Sequence, residues 1–226
     1  MTSQDSLAAA ASTVRSREGY VNLLIACAGF AELKDGLFPF SLPSGKTSLK
    51  DAQKSLWNFP IQDFQRTLNI NLSGSFYTVV AFLDLLDEAN KRFPAPHPKS
   101  QAIIVSSIVA YARSGFPYAY SASKAGLVHL TKQLSSSFAP YKIRFNCIAP
   151  GWFPSEMTNH LPFIKHPEDP TSEGSVAPEV APLERTGSDD DINGLILFLA
   201  SRAGAYVSGS IQLTDGGNLS AVPSSY

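Results

Sequence analysis

The sequence predicts an α/β protein in which parallel strands form one sheet. Short, continuously apolar runs alternate along the chain with longer segments whose apolar residues recur at helical spacing. Runs without polar alternation are typical of strands that are covered on both faces, as they are in parallel sheets. The clearest such runs are residues 21–26, 101–107 and 143–149, and residues 210–217 add a final short strand and turn.

The composition favours a single soluble domain that binds small molecules. Of the 226 residues, 44% are hydrophobic and 16% are charged, which is ample material for one core. Lys and Arg (18) nearly balance Asp and Glu (19), so no basic field is available for nucleic acid or an anionic membrane. No apolar stretch approaches membrane length, and the amino terminus lacks the pattern of a targeting signal. We therefore expect a cytoplasmic protein, with Cys27 and Cys147 as reduced, buried thiols because both lie in apolar runs.

The amino-terminal part predicts a helix, a strand and a long loop, in that order. Ser3 is a candidate N-cap and Gly19 a stop signal for a first helix, which leads into the strand at residues 21–26. The residues after Gly29 contain scattered Pro and Gly, and they predict a long loop with one short helix at residues 49–57.

Residues 61–91 predict one long helix, because apolar residues recur there at roughly helical spacing. This helix contains the segment Asn69-Ile-Asn71-Leu-Ser-Gly74, and both Asn and Gly are weak helix formers. Their presence in an otherwise strong helix indicates a kink or a functional task. The strand at residues 101–107 then ends in two serines, at the edge where a doubly wound sheet presents its ligand site.

The next helix and strand follow the same alternation. A helix over residues 118–138 is closed by Pro140, and the strand at residues 143–149 stops at Pro150-Gly151. This order places the helix as a crossover between two parallel strands.

The region after the third strand predicts an irregular segment and a last helix. Residues 152–185 are rich in proline, which favours a mobile substrate loop over a packed element. The last helix begins at Asp189-Asp-Asp-Ile and runs to about Ser201. The three carboxylates favour the positive end of a helix, so we interpret them as a cap rather than a metal site.

Two residues of the helix over residues 118–138 suggest chemistry. Tyr120 and Lys124 are four residues apart, so their side chains lie on the same face of a helix and can share a site. A nearby cation favours the anionic form of a phenol, which suits general acid–base catalysis. Tyr and Lys at this spacing also occur by chance on helix surfaces, so the pair alone does not decide between these interpretations.

Further patterns occur in order around this pair, and together they resemble the short-chain dehydrogenase/reductase family over almost the whole chain. Tyr120-x-x-x-Lys124 matches the catalytic pair of that family, Ser107 its catalytic serine, and Asn71 the asparagine that completes its tetrad. The remaining matches are the turn Pro150-Gly151 on the nicotinamide side, Ser155 where the family commonly has Thr, and Asp215-Gly216-Gly217 after the last strand.

The resemblance implies a Rossmann-type doubly wound parallel sheet and a hydride transfer between NADP(H) and a carbonyl or alcohol substrate. NADP is preferred over NAD by family frequency. Tyr120 would be the general acid or base, Lys124 would lower its pKa and bind the nicotinamide ribose, Ser107 would hold the substrate oxygen, and Asn71 would hold a water. The implied cofactor-binding residues are Cys27, Gly29, Tyr120, Lys124, Pro150, Gly151, Phe153 and Ser155.

Two departures from the family pattern concern the cofactor. The chain has Ala26-Cys27-Ala28-Gly29 where the family usually has Asn-Asn-Ala-Gly, so a side-chain amide is replaced by a weakly hydrogen-bonding thiol. No Gly-x-x-x-Gly-x-Gly turn precedes the strand at residues 21–26, and the sheet is expected to lack the family's first three strands. That strand would then be an apolar edge.

We therefore expect residues 1–226 to form a single, partial Rossmann-type domain with a reductase or dehydrogenase activity, in the branch often found in secondary metabolism. The alternative is a truncated, catalytically inactive fragment or a non-catalytic partner subunit. The apolar faces of the two long helices permit a homo-oligomer. No metal is expected, because the four histidines show no ligand spacing with Cys or acidic residues: His97, His129, His160 and His166.

Overall fold

The parallel sheet predicted from the apolar runs is present. The computed structural model describes residues 3–31, 48–113, 117–156, 158 and 161–225. Within them, the strands are β1 Leu23–Ala26, β2 Gln101–Val105, β3 Arg144–Pro150 and β4 Ile211–Thr214. They pair in the order β1-β2-β3-β4, and every neighbouring pair is parallel. In this part of the chain β1 pairs with β2 alone, and Ile25 of that edge strand is 37% exposed.

The helices begin and end close to where the sequence predicts them. They are α1 Gln4–Arg17, α2 Leu49–Trp57, α3 Ile61–Leu68, α4 Gly74–Arg92, α5 Tyr118–Ser137, α6 Asp189–Ala200 and the short α7 Asn218–Ala221. Ser3 caps α1 by accepting a hydrogen bond from the backbone N–H of Ser6. Ser188 and Asp191 form a capping box at α6, so the acidic cluster caps a helix as predicted. Most of the loop predicted after the first strand lies outside the described residues.

Helices cover both faces of the sheet, which makes the sheet doubly wound. On one face, Val79 and Leu86 of α4 and Leu127 of α5 pack against Ile104 and Phe145 of the strands. A second cluster lies around Ile103 and Ile148, and it includes Leu199 of α6. Because neighbouring residues of a strand point to opposite faces, Ile103 and Ile104 of β2 belong to different clusters.

The long helix predicted over residues 61–91 is interrupted, which corrects the prediction of one continuous helix. Between α3 and α4 the backbone forms a π-helical turn over Asn69–Ser73, in which the N–H of Gly74 bonds to the carbonyl of Asn69. The weak helix formers of this segment mark the position of the turn. Gly126 of α5 faces it, since a Cβ on Gly126 would lie 3.0 Å from Leu72 Cδ2. The turn and α5 therefore approach each other closely.

The segment after β3 is irregular, as predicted, but it is partly packed. None of its described residues up to the start of α6 belongs to a helix or strand. Nevertheless Leu161, Ser175, Val176 and Ala181 are buried. The segment is therefore irregular as predicted, and these four residues within it are withdrawn from solvent. The mobility of this segment stays a prediction.

Among the described helices, none combines the length and the apolar composition that crossing a bilayer requires.

Candidate active site

The predicted site residues follow the carboxyl ends of neighbouring strands. Gly29 follows β1, Ser107 follows β2, and Pro150 ends β3. The backbone N–H of Ser106 bonds to the carbonyl of Ile148 at 2.8 Å, which holds the ends of β2 and β3 side by side. Parallel strands deliver these residues to one edge of the sheet, where doubly wound folds bind their ligands.

Tyr120 and Lys124 share a buried site at the start of α5. Lys124 Nζ lies 5.5 Å from the centre of the Tyr120 ring, as the four-residue spacing predicts. The Lys124 side chain is buried, and Nζ donates a 3.0 Å hydrogen bond to the carbonyl of Val105. Ser106 Oγ donates to the Lys124 carbonyl at 2.7 Å and thereby joins α5 to the end of β2. A buried ammonium next to a phenol is an expensive arrangement, which points to a function.

Burial changes the acidity of both groups. Desolvation lowers the pKa of Lys124 from 10.5 to about 8, and the thiols of Cys27 and Cys147 oppose this change. Desolvation also raises the pKa of Tyr120 from 10.0 to about 12, and a hydrogen bond with the Ser107 side chain offsets part of that rise. The expectation that Lys124 lowers the pKa of Tyr120 is therefore wrong for this structure, because the loss of water around the phenol dominates.

The pKa of Lys124 predicts a pH-dependent stability. Its folded value of about 8 lies below its ordinary value of 10.5, so the unfolded chain binds more protons between these values, and stability rises with pH there. We expect the free energy of unfolding to rise by about 1 kcal/mol between pH 7 and pH 9 through this residue. Urea unfolding at both pH values should show this rise in the wild type relative to Lys124→Met. A rise of the same size in Lys124→Met would contradict the assignment.

Asn71 lies in the π-helical turn and holds the chain that leaves β1. Its side chain is fully buried. Asn71 Oδ1 accepts from the backbone N–H of Phe30 at 2.7 Å, while Nδ2 donates to the Phe30 carbonyl and to Ser123 Oγ, both at 2.9 Å. The structure thus gives Asn71 a positioning role between the segment after β1 and helix α5, since its amide bonds to both.

Ser107 stands at the entrance to a short 3-10 turn, Ile108–Ala110, directly after β2. Its hydroxyl accepts a 3.3 Å hydrogen bond from the backbone N–H of Val109 and also interacts with the Tyr120 side chain. Because the turn bends the chain away from the sheet, the hydroxyl is left half-buried beside the phenol. Ser107 and Tyr120 can therefore contact the same substrate oxygen.

The two residues predicted to bind cofactor after β1 differ in their surroundings. Cys27 is exposed, so the prediction that it is buried is wrong. The physical reason is that the strand ends at Ala26, and Cys27 already belongs to the edge loop. Cys147, inside β3, is buried as predicted. A Cβ built on Gly29 would lie 3.3 Å from Lys124 Nζ, so the backbone of Gly29 lies close to the buried ammonium group.

Pro150 and Gly151 contact the carboxyl-terminal sequence signature. Pro150 is paired with Thr214 in the register of β3 and β4, and Gly151 N–H bonds to the Thr214 carbonyl at 2.8 Å. A Cβ on Gly151 would lie 2.7 Å from the Cα of Asp215. Asp215 in turn accepts hydrogen bonds from the backbone N–H groups of Gly217 and Leu219. Two motifs that are distant in sequence therefore form one turn cluster at the sheet edge.

Gly151→Ala is expected to destabilise the protein by about 2 kcal/mol, because its methyl group meets backbone rather than a movable side chain. Gly194→Ala is a matched control in helix α6, where a Cβ would meet nothing within 4 Å. Replacing a glycine inside a helix by Ala should stabilise by about 0.5–1 kcal/mol. Urea denaturation of both variants should give shifts of opposite sign. Equal shifts in the free energy of unfolding would show that the contact between Gly151 and Asp215 does not determine the effect of the substitution.

Phe153 and Ser155 begin the irregular segment after β3. The ring of Phe153 packs on Gly187, where a Cβ would come within 2.3 Å of the ring. Ser155 is exposed, and its Oγ lies 3.0 Å from Thr158 Oγ1. Contact of these two residues with a nicotinamide carboxamide stays a prediction.

Sequence reasoning missed two serines that organise the site. Ser106 bonds the backbone of Lys124, and Ser123 donates to the Tyr120 carbonyl at 2.7 Å while it accepts from Asn71. Both are buried. Their signal was available, since small polar residues next to catalytic candidates on a buried face need hydrogen-bond partners.

Known proteins resemble this chain over most of its length. A family model described as enoyl-(acyl carrier protein) reductase matches residues 1–218. The short-chain dehydrogenase/reductase PhomF′ of Diaporthe leptostromiformis is 42% identical over 214 residues, which are 94% of this chain and 70% of that protein. The chain belongs to the short-chain dehydrogenase/reductase family. A second relative, the short-chain dehydrogenase/reductase SAT3 of Stachybotrys chartarum, is 38% identical over 240 residues, covering all of this chain and 85% of SAT3.

Solved structures of the same fold extend the comparison. The RhlG/NADP active-site complex of Pseudomonas aeruginosa superposes with a TM-score of 0.72 at 25% identity, covering 96% of this chain and 73% of that one. Levodione reductase gives the same TM-score at 22% identity, covering 97% of this chain and 75% of the other, and shows a shared fold. The short-chain dehydrogenase/reductase fold predicted from the motifs is therefore confirmed, and with it an oxidoreductase family.

The residues around Lys124 fit the nicotinamide-ribose half of the family's cofactor. Lys124 Nζ carries three N–H donors, of which the Val105 carbonyl takes one. Gly29 has no side chain to cover this ammonium, since a Cβ there would lie 3.3 Å from Lys124 Nζ. An ammonium with further donors, buried next to such a space, suits the hydroxyl groups of a ribose. In the part of the chain that the structure describes, which leaves out His160, no three His, Cys, Asp or Glu residues are grouped to hold a metal ion.

Proposed function

We propose that this chain transfers a hydride between NADP(H) and a small carbonyl or alcohol substrate. The observation that carries the proposal is the group formed by the buried Lys124 and the half-buried Tyr120 and Ser107 at the carboxyl edge of the sheet. A phenol, an ammonium and a hydroxyl supply the proton donor, the cofactor anchor and the oxygen-binding group that such a reaction needs.

Each of the three residues has a separate task. When bound, the nicotinamide supplies the hydride that adds to the carbonyl carbon. Ser107 hydrogen-bonds the carbonyl oxygen and stabilises the negative charge that develops on it. Tyr120 gives its phenolic proton to that oxygen and so completes the alcohol. Lys124 holds the ribose through its remaining N–H donors.

Asn71 and Ser123 hold this group in place. They link the segment after β1 to the helix that carries Tyr120 and Lys124, through hydrogen bonds of 2.7–2.9 Å. Side chains held by several such bonds keep the reactive groups in position before the substrate binds, so the site is preorganised.

The phenol of Tyr120 is protonated at neutral pH, because burial raises its pKa to about 12. It therefore carries the proton that the oxygen of the reduced carbonyl accepts. The lowered pKa of Lys124, about 8, places its loss of charge near the upper end of the physiological range.

NADP is the proposed partner rather than NAD. Support comes from family frequency and from the Pseudomonas aeruginosa neighbour, whose structure is an NADP active-site complex. We also propose a role in secondary-metabolite biosynthesis. The support is a resemblance, in the long insertion after Gly29 and in the residues of the central motifs, to a branch of the family that is often found in such pathways. A homo-oligomer through the long central helices is part of the same proposal.

Direct measurement of cofactor oxidation tests the proposal. NADPH consumption is followed at 340 nm with an apolar aldehyde such as benzaldehyde, and the alcohol is quantified independently. Turnover that exceeds the Tyr120→Phe background, and that is faster with NADPH than with NADH, is the expected result. A non-catalytic partner subunit would instead give no alcohol above background with either cofactor, which would overturn the proposed activity.

A further inference from the structure

An apolar cavity is lined in part by Tyr120. Its volume is about 310 Å³. The end of α2, the start of α3 and the first turn of α5 form its walls. The lining residues are Leu56, Phe59, Phe64, Thr67, Pro117, Tyr118, Ala119 and Tyr120. Because Tyr120 belongs to this lining, whatever fills the cavity lies next to the proposed proton donor.

Among the described residues that line the cavity, none carries a carboxylate, amine or guanidinium side chain. The hydroxyl of Thr67 already donates to the Asp63 carbonyl at 3.1 Å. Phe59 and Phe64 meet edge to face, with ring centres 6.4 Å apart, and so offer aromatic surface to a ligand. Such a wall favours an uncharged, apolar ligand. A charged ligand would lose its hydration there without gaining compensating hydrogen bonds.

The size of the cavity restricts the ligand further. A dry cavity of about 150 Å³ accommodates one benzene molecule. The cavity beside Tyr120 has roughly twice that volume, which corresponds to about two fused rings. Tyr118 is 51% exposed, so the cavity opens to solvent on that side and a ligand can enter.

A larger groove elsewhere on the molecule suits this role less well. It has a volume of about 700 Å³ and lies between α1 and the π-helical turn. Its lining includes Gln65, Arg66 and Asn69, but not Tyr120, which lines the smaller cavity. The smaller cavity is therefore the better candidate for the part of a substrate that does not react.

We propose that the cavity between α2, α3 and α5 is the subsite for a fused aromatic ring system, whose attached carbonyl is held at Tyr120 and Ser107. This inference rests on the proposed reductase function, since it places the carbonyl at the same phenol. The subsite selects bicyclic aromatic aldehydes and ketones over short aliphatic ones by the apolar surface they bury.

Two substitutions on the same helix distinguish an effect on the subsite from the general effect of introducing a Trp. Leu56→Trp adds an indole to the cavity wall, while Leu49→Trp makes the same change at a position that is 86% exposed and outside the lining. Helix α2 has no buried residue, so both variants are expected to fold, which circular dichroism checks. Two readouts are used: kcat/KM for 2-naphthaldehyde and propanal with NADPH, and binding of 2-naphthol by saturation-transfer NMR.

In the wild type and in Leu49→Trp, 2-naphthaldehyde should be preferred over propanal by at least about tenfold. Leu56→Trp should remove that preference and the 2-naphthol signal, while Leu49→Trp should keep both. If Leu56→Trp does not fold, Phe64→Leu widens the cavity and should improve 9-anthraldehyde relative to 2-naphthaldehyde.

The two readouts distinguish failure of the subsite from failure of the function. Equal binding of 2-naphthol and equal substrate preference in the two Trp variants would overturn the subsite while the reductase activity stands. Absence of turnover with either aldehyde, combined with 2-naphthol binding that only Leu56→Trp abolishes, would overturn the activity and support the subsite. Absence of 2-naphthol binding in the wild type would overturn the subsite directly.

Discussion

Tyr120→Phe is expected to lower kcat for carbonyl reduction by about 10³-fold, because it removes the proton donor and leaves the ring in place. Substrate oxygen would then have to take its proton from water in a half-buried site. The ring still packs beside Lys124, whose Nζ lies 5.5 Å from its centre. We therefore expect cofactor affinity and thermal stability to change little, so the loss should appear in kcat and not in KM.

A matched control makes this result specific. Tyr206→Phe removes the same hydroxyl from a fully exposed tyrosine far along the chain from the site. Its kcat should equal that of the wild type, and circular dichroism should show the same fold for both variants. If Tyr120→Phe kept more than about a tenth of the wild-type kcat, Tyr120 would not be the proton donor.

Asn71→Ala is expected to destabilise the protein by about 3 kcal/mol. The substitution removes three hydrogen bonds at once. The backbone groups of Phe30 and the hydroxyl of Ser123 then lose the partner that the Asn71 amide provides. It also opens a cavity where a fully buried side chain stood. Because the same bonds join the segment after β1 to helix α5, activity should fall together with stability.

Asn69→Ala supplies the comparison within the same π-helical turn. Asn69 is exposed, and its described contribution to the turn is its backbone carbonyl, which the substitution keeps. Its free energy of unfolding, measured by urea denaturation, should therefore stay within about 0.5 kcal/mol of the wild type. Similar losses in both variants would contradict the assignment of the loss to the buried side-chain amide of Asn71, because Ala is the better helix former at both positions.

The order of the elements could be predicted from the sequence because local signals agree with the fold. Continuous apolar runs gave β1, β2 and β3, while Ser3 and the acidic start of α6 marked helix ends that the structure confirms. The i,i+4 spacing placed Tyr120 and Lys124 on one face, which the 5.5 Å separation bears out. These are features that depend on residues close together in the chain.

The errors arose where distant segments decide the environment. Cys27 is exposed although it follows an apolar run, because β1 ends at Ala26 and pairs, among the described strands, with β2 alone. The acidity of Tyr120 followed burial rather than the nearby cation. The interruption of the long helix at Asn69–Ser73 was signalled by composition, but its π-helical form and its close approach to α5 appear only in the structure.

The sequence by itself determined the fold class, the family and the chemical identity of the reactive groups, since motifs and periodicity are local properties of the chain. Only the tertiary structure decided what surrounds those groups. Asn71 bonds to Phe30 and Ser123, Gly151 lies against Asp215, and an apolar cavity adjoins Tyr120. Each of these contacts joins residues far apart in sequence, and burial, acidity and cavity shape follow from such contacts rather than from neighbours along the chain.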